Sequence, residues 1–290
     1  MKLRVQHTTT YDYDEPASTS HNQVHLALRD LPWQKCLQRE LHVTPAPEDI
    51  AEHVDYFGNI ATSFAILEPH PQLKVHASSV IEVHKRPAIN LLQSPAWEKV
   101  PQLNESSLAP EAIDAIQYRF DSPFIRRSPA LAEYARPSFA ASRPLLAAAM
   151  DLTQRIKRDF KYTPKVTTIA TSIEEVLRSR HGVCQDFSHL QIGCLRSLGL
   201  PARYVSGYLD TDPPPGKPKL LGADASHAWI SVYCPKTGWV DFDPTNGIQP
   251  AGRHVTICWG RDYGDVSPIR GVVLGGGDPK LTVEVDVRPV

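Results

Sequence analysis

The sequence predicts an α+β protein in which an all-β sandwich domain precedes a core of helices packed on an antiparallel sheet. Three observations predict this class. Residues 1–86 hold short runs of alternating apolar and polar residues, each bounded by Pro, Gly, Asn or Asp. Helical periodicity begins at residue 145, and alternating runs return at residue 203. A group of helices followed by a group of strands is typical of an α+β core.

The N-terminal β domain is predicted over residues 1–86. Leu3, Val5 and His7 alternate with polar residues, as in a strand with one buried face. Similar runs follow at residues 23–28, 39–43, 60–66 and 74–83. Because these strands are short, regularly spaced and free of helical periodicity, they favour a sandwich.

Residues 87–144 are predicted to be a proline-rich connector that wraps around the protein. Eight prolines interrupt any long element in this segment, while aromatic residues such as Trp97 and Phe120 make it too apolar for a solvated tether. Short helices are predicted at Pro110–Tyr118 and Ser128–Ala135, since proline is favoured near the start of a helix.

The catalytic core is predicted over residues 145–290. Its first helix has one apolar face from Leu145 to Phe160, and a capping box that starts at Ser172 opens a second helix. A third helix follows, in which the apolar residues 187, 190, 194 and 198 recur at spacings of 3, 4 and 4 before Gly199 ends it. Strands are predicted at residues 203–209, 227–234, 239–243, 255–259, 269–274 and 281–287.

Cys184, at the start of the third helix, is the candidate nucleophile. Free backbone N–H groups and the positive end of the helix dipole favour a thiolate at this position. The alternative is a small buried hydrophobic residue, which is the usual role of a lone intracellular cysteine. Two nearby histidines are poorly placed as its base, because His181 precedes the helix and His189 lies off the Cys184 face.

A thiol nucleophile needs a base, and the base needs a group that fixes its orientation. The predicted hairpin offers both, since His227 begins one strand and Asp243 ends the next. Counting from the turn at residues 235–238 leaves His227 slightly beyond Asp243, a gap that a bulge or a wider turn would close. Asp241 has the same face parity as Asp243 and competes for the orienting role, unless it is a solvated strand carboxylate.

Composition excludes several classes of function. Lys and Arg number 31 against 32 Asp and Glu, and this balance predicts no nucleic-acid or anionic-membrane partner. No apolar run is long enough for a membrane span or a signal peptide, so a cytoplasmic protein is predicted. The five cysteines are an odd number at wide spacings, which fits neither a disulfide framework nor a zinc site, and no metal or cofactor is predicted.

Four motifs in this order, HGVCQDFSHL, RYVSGY, SHAWISVY and GWVDFDPTNG, resemble the bacterial transglutaminase-like superfamily, whose fold is similar to papain-type cysteine peptidases. YDYDEP and DYFGN resemble the β domain that precedes the core in the bacterial branch, and GRDYGDVSPIRGV is similar to its C-terminal tail. The resemblance implies a nucleophile at Cys184, a base at His227 and an orienting aspartate at Asp243.

The predicted function is therefore acyl transfer on amide bonds through an acyl-thioester on Cys184. Hydrolysis of a peptide or amide is favoured because no calcium-binding motif is present. The alternatives are transfer of glutamine acyl groups to an amine, and a non-catalytic peptide- or glycan-binding module. Trp229 and Tyr204 are predicted substrate contacts, with the core as the alternative for a strand aromatic, and the segment Leu209–Ser226 is predicted to be either a gating loop or an inert surface loop.

Overall fold

The computed structural model describes residues 1–211 and 226–290, so most of the predicted gating loop, residues 212–225, lies outside the described residues. The helices are α1 Val100–Glu105, α2 Pro110–Ile116, α3 Pro129–Ala135, α4 Leu145–Asp159, α5 Ile173–Ser179 and α6 Cys184–Ser197. The strands are β1 Lys2–Val24, β2 Gln34–Thr44, β3 Asp49–Val54, β4 Ile60–Ile66, β5 His70–Val83, β6 Lys161–Tyr162, β7 His181–Gly182, β8 Ala202–Leu209, β9 Ser226–Cys234, β10 Gly238–Phe242, β11 His254–Gly260, β12 Ile269–Gly275 and β13 Lys280–Pro289. The predicted α+β class is confirmed.

The first strand, β1, organises the N-terminal β region. Its residues 2–12 pair with β5 and β13, and its residues 17–24 pair with β4 and β12. Phe64 of β4 and Val75 of β5 share an apolar cluster, so the two halves of the sheet face each other. The predicted alternation in β1 is confirmed, since Leu3, Val5 and His7 are all buried.

The core is a four-stranded antiparallel sheet, in the order β10-β9-β8-β11, covered by helices. Helix α6 packs against β8 and β9 and is surrounded by α3, α4 and α5. Almost all of α6 after its first turn is buried, polar residues such as His189, Gln191 and Arg196 included, because the sheet and the three helices cover it. As a result the N-terminus of α6 is held rigidly beside the strands that carry the other candidate residues.

The end of the chain differs from the predicted three-region division. Strands β12 and β13 were placed in the core by sequence position, but both pair with β1 and complete the N-terminal sheet. Val285 and Val287 of β13 are buried with Leu3 and Val5 of β1 in the main apolar cluster of the protein. Hydrogen bonding between sequence-distant strands therefore joins the two ends of the chain.

Side chains of the N-terminal region also satisfy the outer edge of the core sheet. The amide of Gln34 bonds the N–H and C=O of Thr256 at 2.8 and 2.7 Å. The amide of Asn59 does the same for Trp259, at 3.0 and 2.8 Å. Among the described strands β11 pairs only with β8, so these two amides take the place of a further strand. Within the described residues, no helix is long and apolar enough to cross a membrane.

Candidate active site

The N-terminus of α6 is built around Asp186. Oδ2 of this carboxylate accepts hydrogen bonds from the backbone N–H of Val183 at 2.8 Å and from the hydroxyl of Thr167 at 2.7 Å. A Cβ at Gly182 would lie 2.9 Å from the Asp186 side chain, so only glycine leaves room for it. Sequence analysis missed Asp186, although an acidic residue at the third helical position is a known capping signal.

Cys184 is the first residue of α6, as the sequence predicts, and is partly buried. The positive end of the helix dipole and the free N–H groups of the first turn therefore face its side chain. The Cys184 side chain also lies near enough to His227 to raise the pKa of its ring. The structure thus brings these two predicted residues together across the junction between α6 and β9.

His227 and Asp243 meet at the open end of the β9–β10 hairpin. The pairing is regular from Gly238 opposite Cys234 to Phe242 opposite Ile230, so His227 lies beyond Asp243 as the counting predicts. Neither a bulge nor a wider turn closes the gap. Instead the side chains span it, with Nε2 of His227 2.8 Å from Oδ2 of Asp243.

The pKa of His227 follows from these contacts. Burial alone would lower it, but the hydrogen bonds and negative charges of Asp243 and Cys184 raise it to about 10. Because Nε2 donates to Asp243, Nδ1 is the ring nitrogen left for the thiol. His227 is therefore held in its protonated form near Cys184, which is the kind of base that a thiol nucleophile requires.

The carboxylate of Asp243 is fully buried and accepts five hydrogen bonds from the described residues. Oδ1 accepts the backbone N–H groups of Thr245 and Asn246 at 2.9 and 3.1 Å. Oδ2 accepts from His227, from Nδ2 of Asn246 at 2.7 Å and from Nε2 of His254 at 3.0 Å. Burial alone would raise the pKa of Asp243, but these bonds hold it well below its usual range. The carboxylate therefore stays charged and fixed in place.

Sequence analysis did not identify His254. It begins β11 and reaches Asp243 from the far side of β8, with its side chain only 2% exposed. Burial lowers its pKa although Asp243 opposes the shift, so the ring is neutral. Strand β11 is buried along nearly its whole length, but nothing in the local sequence indicates that His254 has a partner eleven residues away.

A metal ion is the other ligand that this cluster could hold. One atom each of His227, Asp243 and His254 lies within 4.8 Å of the others, a spacing that permits coordination of a divalent ion. All three atoms are already engaged in hydrogen bonds with one another. The absence of a metal stays a prediction.

Asp241 neither orients His227 nor faces solvent, so the solvated alternative is wrong. It is 10% exposed and forms an ion pair with Arg86, whose Nη1 lies 2.6 Å from its Oδ2. Its two oxygens also accept from the Ser231 hydroxyl at 2.6 Å and the Trp229 indole N–H at 3.0 Å. Burial would raise the pKa of Asp241, but these partners keep it below its usual range.

The two aromatic residues predicted to contact substrate are both buried. Trp229 is 0% exposed and packs against the rings of His227 and His254, and Tyr204 is 2% exposed beside His189. Their burial favours packing roles behind the site, and contact with substrate stays a prediction. His189 is not a base in this geometry, because its Nε2 accepts the N–H of Tyr263 and burial lowers its pKa to about 3.

Comparisons with known proteins agree with this fold. A sequence model described as the bacterial transglutaminase-like N-terminal region matches residues 3–82, and one described as the transglutaminase-like superfamily matches residues 132–244. An uncharacterised protein of Mycobacterium tuberculosis is 39% identical over 293 residues, which cover 99% of this chain and 93% of that protein. A protein-glutamine gamma-glutamyltransferase of Pseudomonas aeruginosa is 34% identical over 128 residues, 43% of this chain and 19% of the relative.

Among solved structures, a candidate cysteine protease from Cytophaga hutchinsonii has the same fold. Its TM-score is 0.80 at 24% identity, and the match covers 99% of this chain and 90% of that one. The match extends over both the N-terminal strands and the core.

Proposed function

Because this chain belongs to the transglutaminase-like superfamily and carries its bacterial N-terminal region, we propose that it is a thiol-dependent acyl-transfer enzyme acting on amide bonds. The observation that carries the proposal is the hydrogen bond between His227 and Asp243, beside a Cys184 that raises the pKa of His227. In this proposal Cys184 is the nucleophile, His227 the acid and base, and Asp243 the group that orients His227.

The reaction begins when the Cys184 thiolate attacks the amide carbonyl carbon and forms a C–S bond. The backbone N–H of Cys184, free at the helix start, is a donor for the developing oxyanion. His227 then gives its proton to the amide nitrogen, the C–N bond breaks and the amine leaves. The product of this half-reaction is an acyl-thioester on Cys184.

Water resolves the thioester in the proposed reaction. His227, now neutral, takes a proton from a water molecule while the water oxygen attacks the acyl carbon. The C–S bond then breaks, and the Cys184 thiolate leaves with the electron pair. The substrate is then a peptide or protein with a backbone or side-chain amide.

The predicted cytoplasmic location is supported by the five cysteines, which are all unpaired, as a reducing compartment would keep them.

A second candidate replaces water by an amine. The 34% identity to the Pseudomonas aeruginosa protein-glutamine gamma-glutamyltransferase favours it, because the same acyl-thioester serves both acceptors. The two candidates differ only in what reaches the acyl carbon after the first amine has left.

The test is incubation with glutamine-containing peptides, with and without a primary amine, followed by mass spectrometry. We expect hydrolysed or deamidated peptide in both reactions, and dominance of an amine adduct would favour transfer. Cys184→Ala should abolish turnover, whereas Cys36→Ser, at the other partly accessible cysteine, should not. Binding without any product, equal in the Cys184→Ala variant, would favour a non-catalytic module instead.

A further inference from the structure

We propose that His254 is a positioning residue of this site, whose Nε2–H holds Oδ2 of Asp243 in the orientation that His227 needs. The inference rests on the proposed function, because it assigns a role within the same Cys184–His227–Asp243 arrangement. It adds a residue of β11, a strand that carries none of the other three.

The geometry fixes which atom of His254 carries the proton. An ionised carboxylate only accepts hydrogen bonds, so Nε2 of His254, 3.0 Å from Oδ2 of Asp243, must be a donor. His227 donates to the same oxygen at 2.8 Å. One carboxylate oxygen therefore holds two imidazole rings, of which His227 is the one whose pKa Cys184 raises.

The other nitrogen of His254 has no purpose of its own in the fold. Nδ1 is buried and has no hydrogen-bond partner among the described residues. A buried acceptor without a partner costs free energy, so a side chain that carries one needs a compensating interaction. The bond to Asp243 is that interaction, and it explains a histidine at this position better than packing does.

The surroundings keep His254 neutral. The charged groups that face it are Asp243 and His227 from the hairpin and Arg86 from the segment after β5, and His227 and Arg86 both oppose a second positive charge. The ring of Trp229 packs edge-on against it, with centroids 5.2 Å apart at 86°. The ring is thus confined on one side by an aromatic group and on the other by the carboxylate.

Gly207 on the middle strand β8 makes this contact across strands possible. His227 pairs with Gly207, and His254 pairs with Leu209 on the other side of β8. A Cβ at Gly207 would lie 2.4 Å from the Trp229 ring and 2.1 Å from the carbonyl oxygen of Val255. The missing side chain therefore opens the space in which Trp229 and His254 meet.

Two consequences follow for the proposed reaction. Asp243 keeps a fixed Oδ2 even when the His227 ring moves during proton transfer, because His254 and Asn246 still hold that oxygen. The second imidazole also withdraws negative charge from Oδ2. His227 therefore holds its proton less tightly than it would if the carboxylate accepted no hydrogen bond from His254. Both effects help His227 to give its proton to a leaving amine.

The test compares His254→Phe, which keeps the ring volume without a donor, with His254→Gln, which keeps an N–H donor. The rate of Cys184 alkylation by iodoacetamide is measured against pH, with alkylation located by mass spectrometry, so no substrate is needed. In the Phe variant we expect the alkaline step, loss of the His227 proton, to move up by roughly one pH unit, a tenfold change in the equilibrium. The Gln variant should stay near the unmodified protein.

His7→Phe is the matched control, because His7 is also buried and neutral but bonds Tyr208 and Thr9 instead of the site. It should leave the alkaline step unchanged. Equal profiles for the unmodified protein and His254→Phe, or the same shift in the Gln and Phe variants, would overturn the proposal.

A second measurement reads the unmodified protein itself and uses a variant only to assign the signal. Nitrogen-15 NMR of histidine-labelled unmodified protein, assigned with His254→Gln, should show His254 neutral with its proton on Nε2. A proton on Nδ1, or on both nitrogens at neutral pH, would overturn the proposal. Failure of the proposed function would instead show as absent amide turnover, with these two readouts unaffected.

Discussion

Replacing Asp243 by Asn tests the arrangement at its most constrained residue. The amide has nearly the shape of the carboxylate, and its oxygen can still accept the backbone N–H groups of Thr245 and Asn246. Its NH₂ group would then take the place of Oδ2 and face N–H donors from His227 and His254. His227 can avoid this clash only by moving its proton to Nδ1, which is the wrong tautomer for accepting a proton from the thiol.

The size of the effect follows from the pKa of His227. Its rise from 6.5 to about 10 corresponds to stabilisation of the imidazolium on the order of 5 kcal/mol, shared between Asp243 and Cys184. If about half belongs to Asp243, its loss lowers the population of the thiolate–imidazolium pair about a hundredfold. The tautomer change adds to this, so we expect a loss of at least about a hundredfold in the alkylation rate of Cys184 at neutral pH.

Asp241→Asn is the matched control, two residues away on the same strand face. We expect it to lower the free energy of unfolding by about 3 kcal/mol, because it leaves the charge of Arg86 buried without a partner. Its effect on the alkylation rate of the folded protein should be small. Urea denaturation and stopped-flow alkylation of both variants separate the two outcomes. A larger loss of alkylation rate for Asp241→Asn than for Asp243→Asn would refute the reasoning.

Three further predictions follow. Substoichiometric iodoacetamide should label Cys184 before the other four cysteines, since three of those are buried and burial raises the pKa of Cys36; peptide mapping that finds another residue labelled first would contradict this. Amide turnover should survive EDTA, because the proposed mechanism needs no metal. Turnover that is lost in EDTA and restored by a divalent ion would count against that mechanism. The free energy of unfolding, measured with urea, should fall as pH drops below 6.5. Burial lowers the pKa of His7 to about 4 and that of His189 to about 3, so these residues take up protons at a higher pH in the unfolded chain than in the folded protein. For His7 alone, this difference lowers the free energy of unfolding by about 3 kcal/mol at pH 4. A flat profile between pH 6.5 and 4 would contradict this prediction.

The sequence predicted the local parts of the site well. The start of α6 at Cys184 is confirmed, because its apolar spacing and the stop at Gly199 are local signals. The offset between His227 and Asp243 is confirmed because a tight hairpin makes register a matter of counting. What counting could not supply was the length and direction of the side chains that close the gap.

The parts that were missed or mistaken depend on contacts between distant segments. Arg86 pairs with Asp241 across 155 positions, so the burial of that carboxylate has no local signal. His254 reaches Asp243 across β8, where Gly207 leaves the necessary space. The sequence shows this glycine but does not show what it makes room for. Strands β12 and β13 belong to the N-terminal sheet instead of the core because they pair with the open edge of β1. That edge is a property of the assembled sheet.

The side-chain amides of Gln34 and Asn59 bond the edge of β11. They make the N-terminal region equivalent to a permanently bound subunit. A strand with a free edge recruits other strands, and the usual outcome between molecules is dimerisation or fibril growth. Here two side chains from the same polypeptide occupy that edge at an effective concentration that no separate partner could match. A fragment that lacks residues 1–86 would therefore expose an unpaired strand edge beside the proposed site, and any shortened form of the protein should keep both ends of the chain.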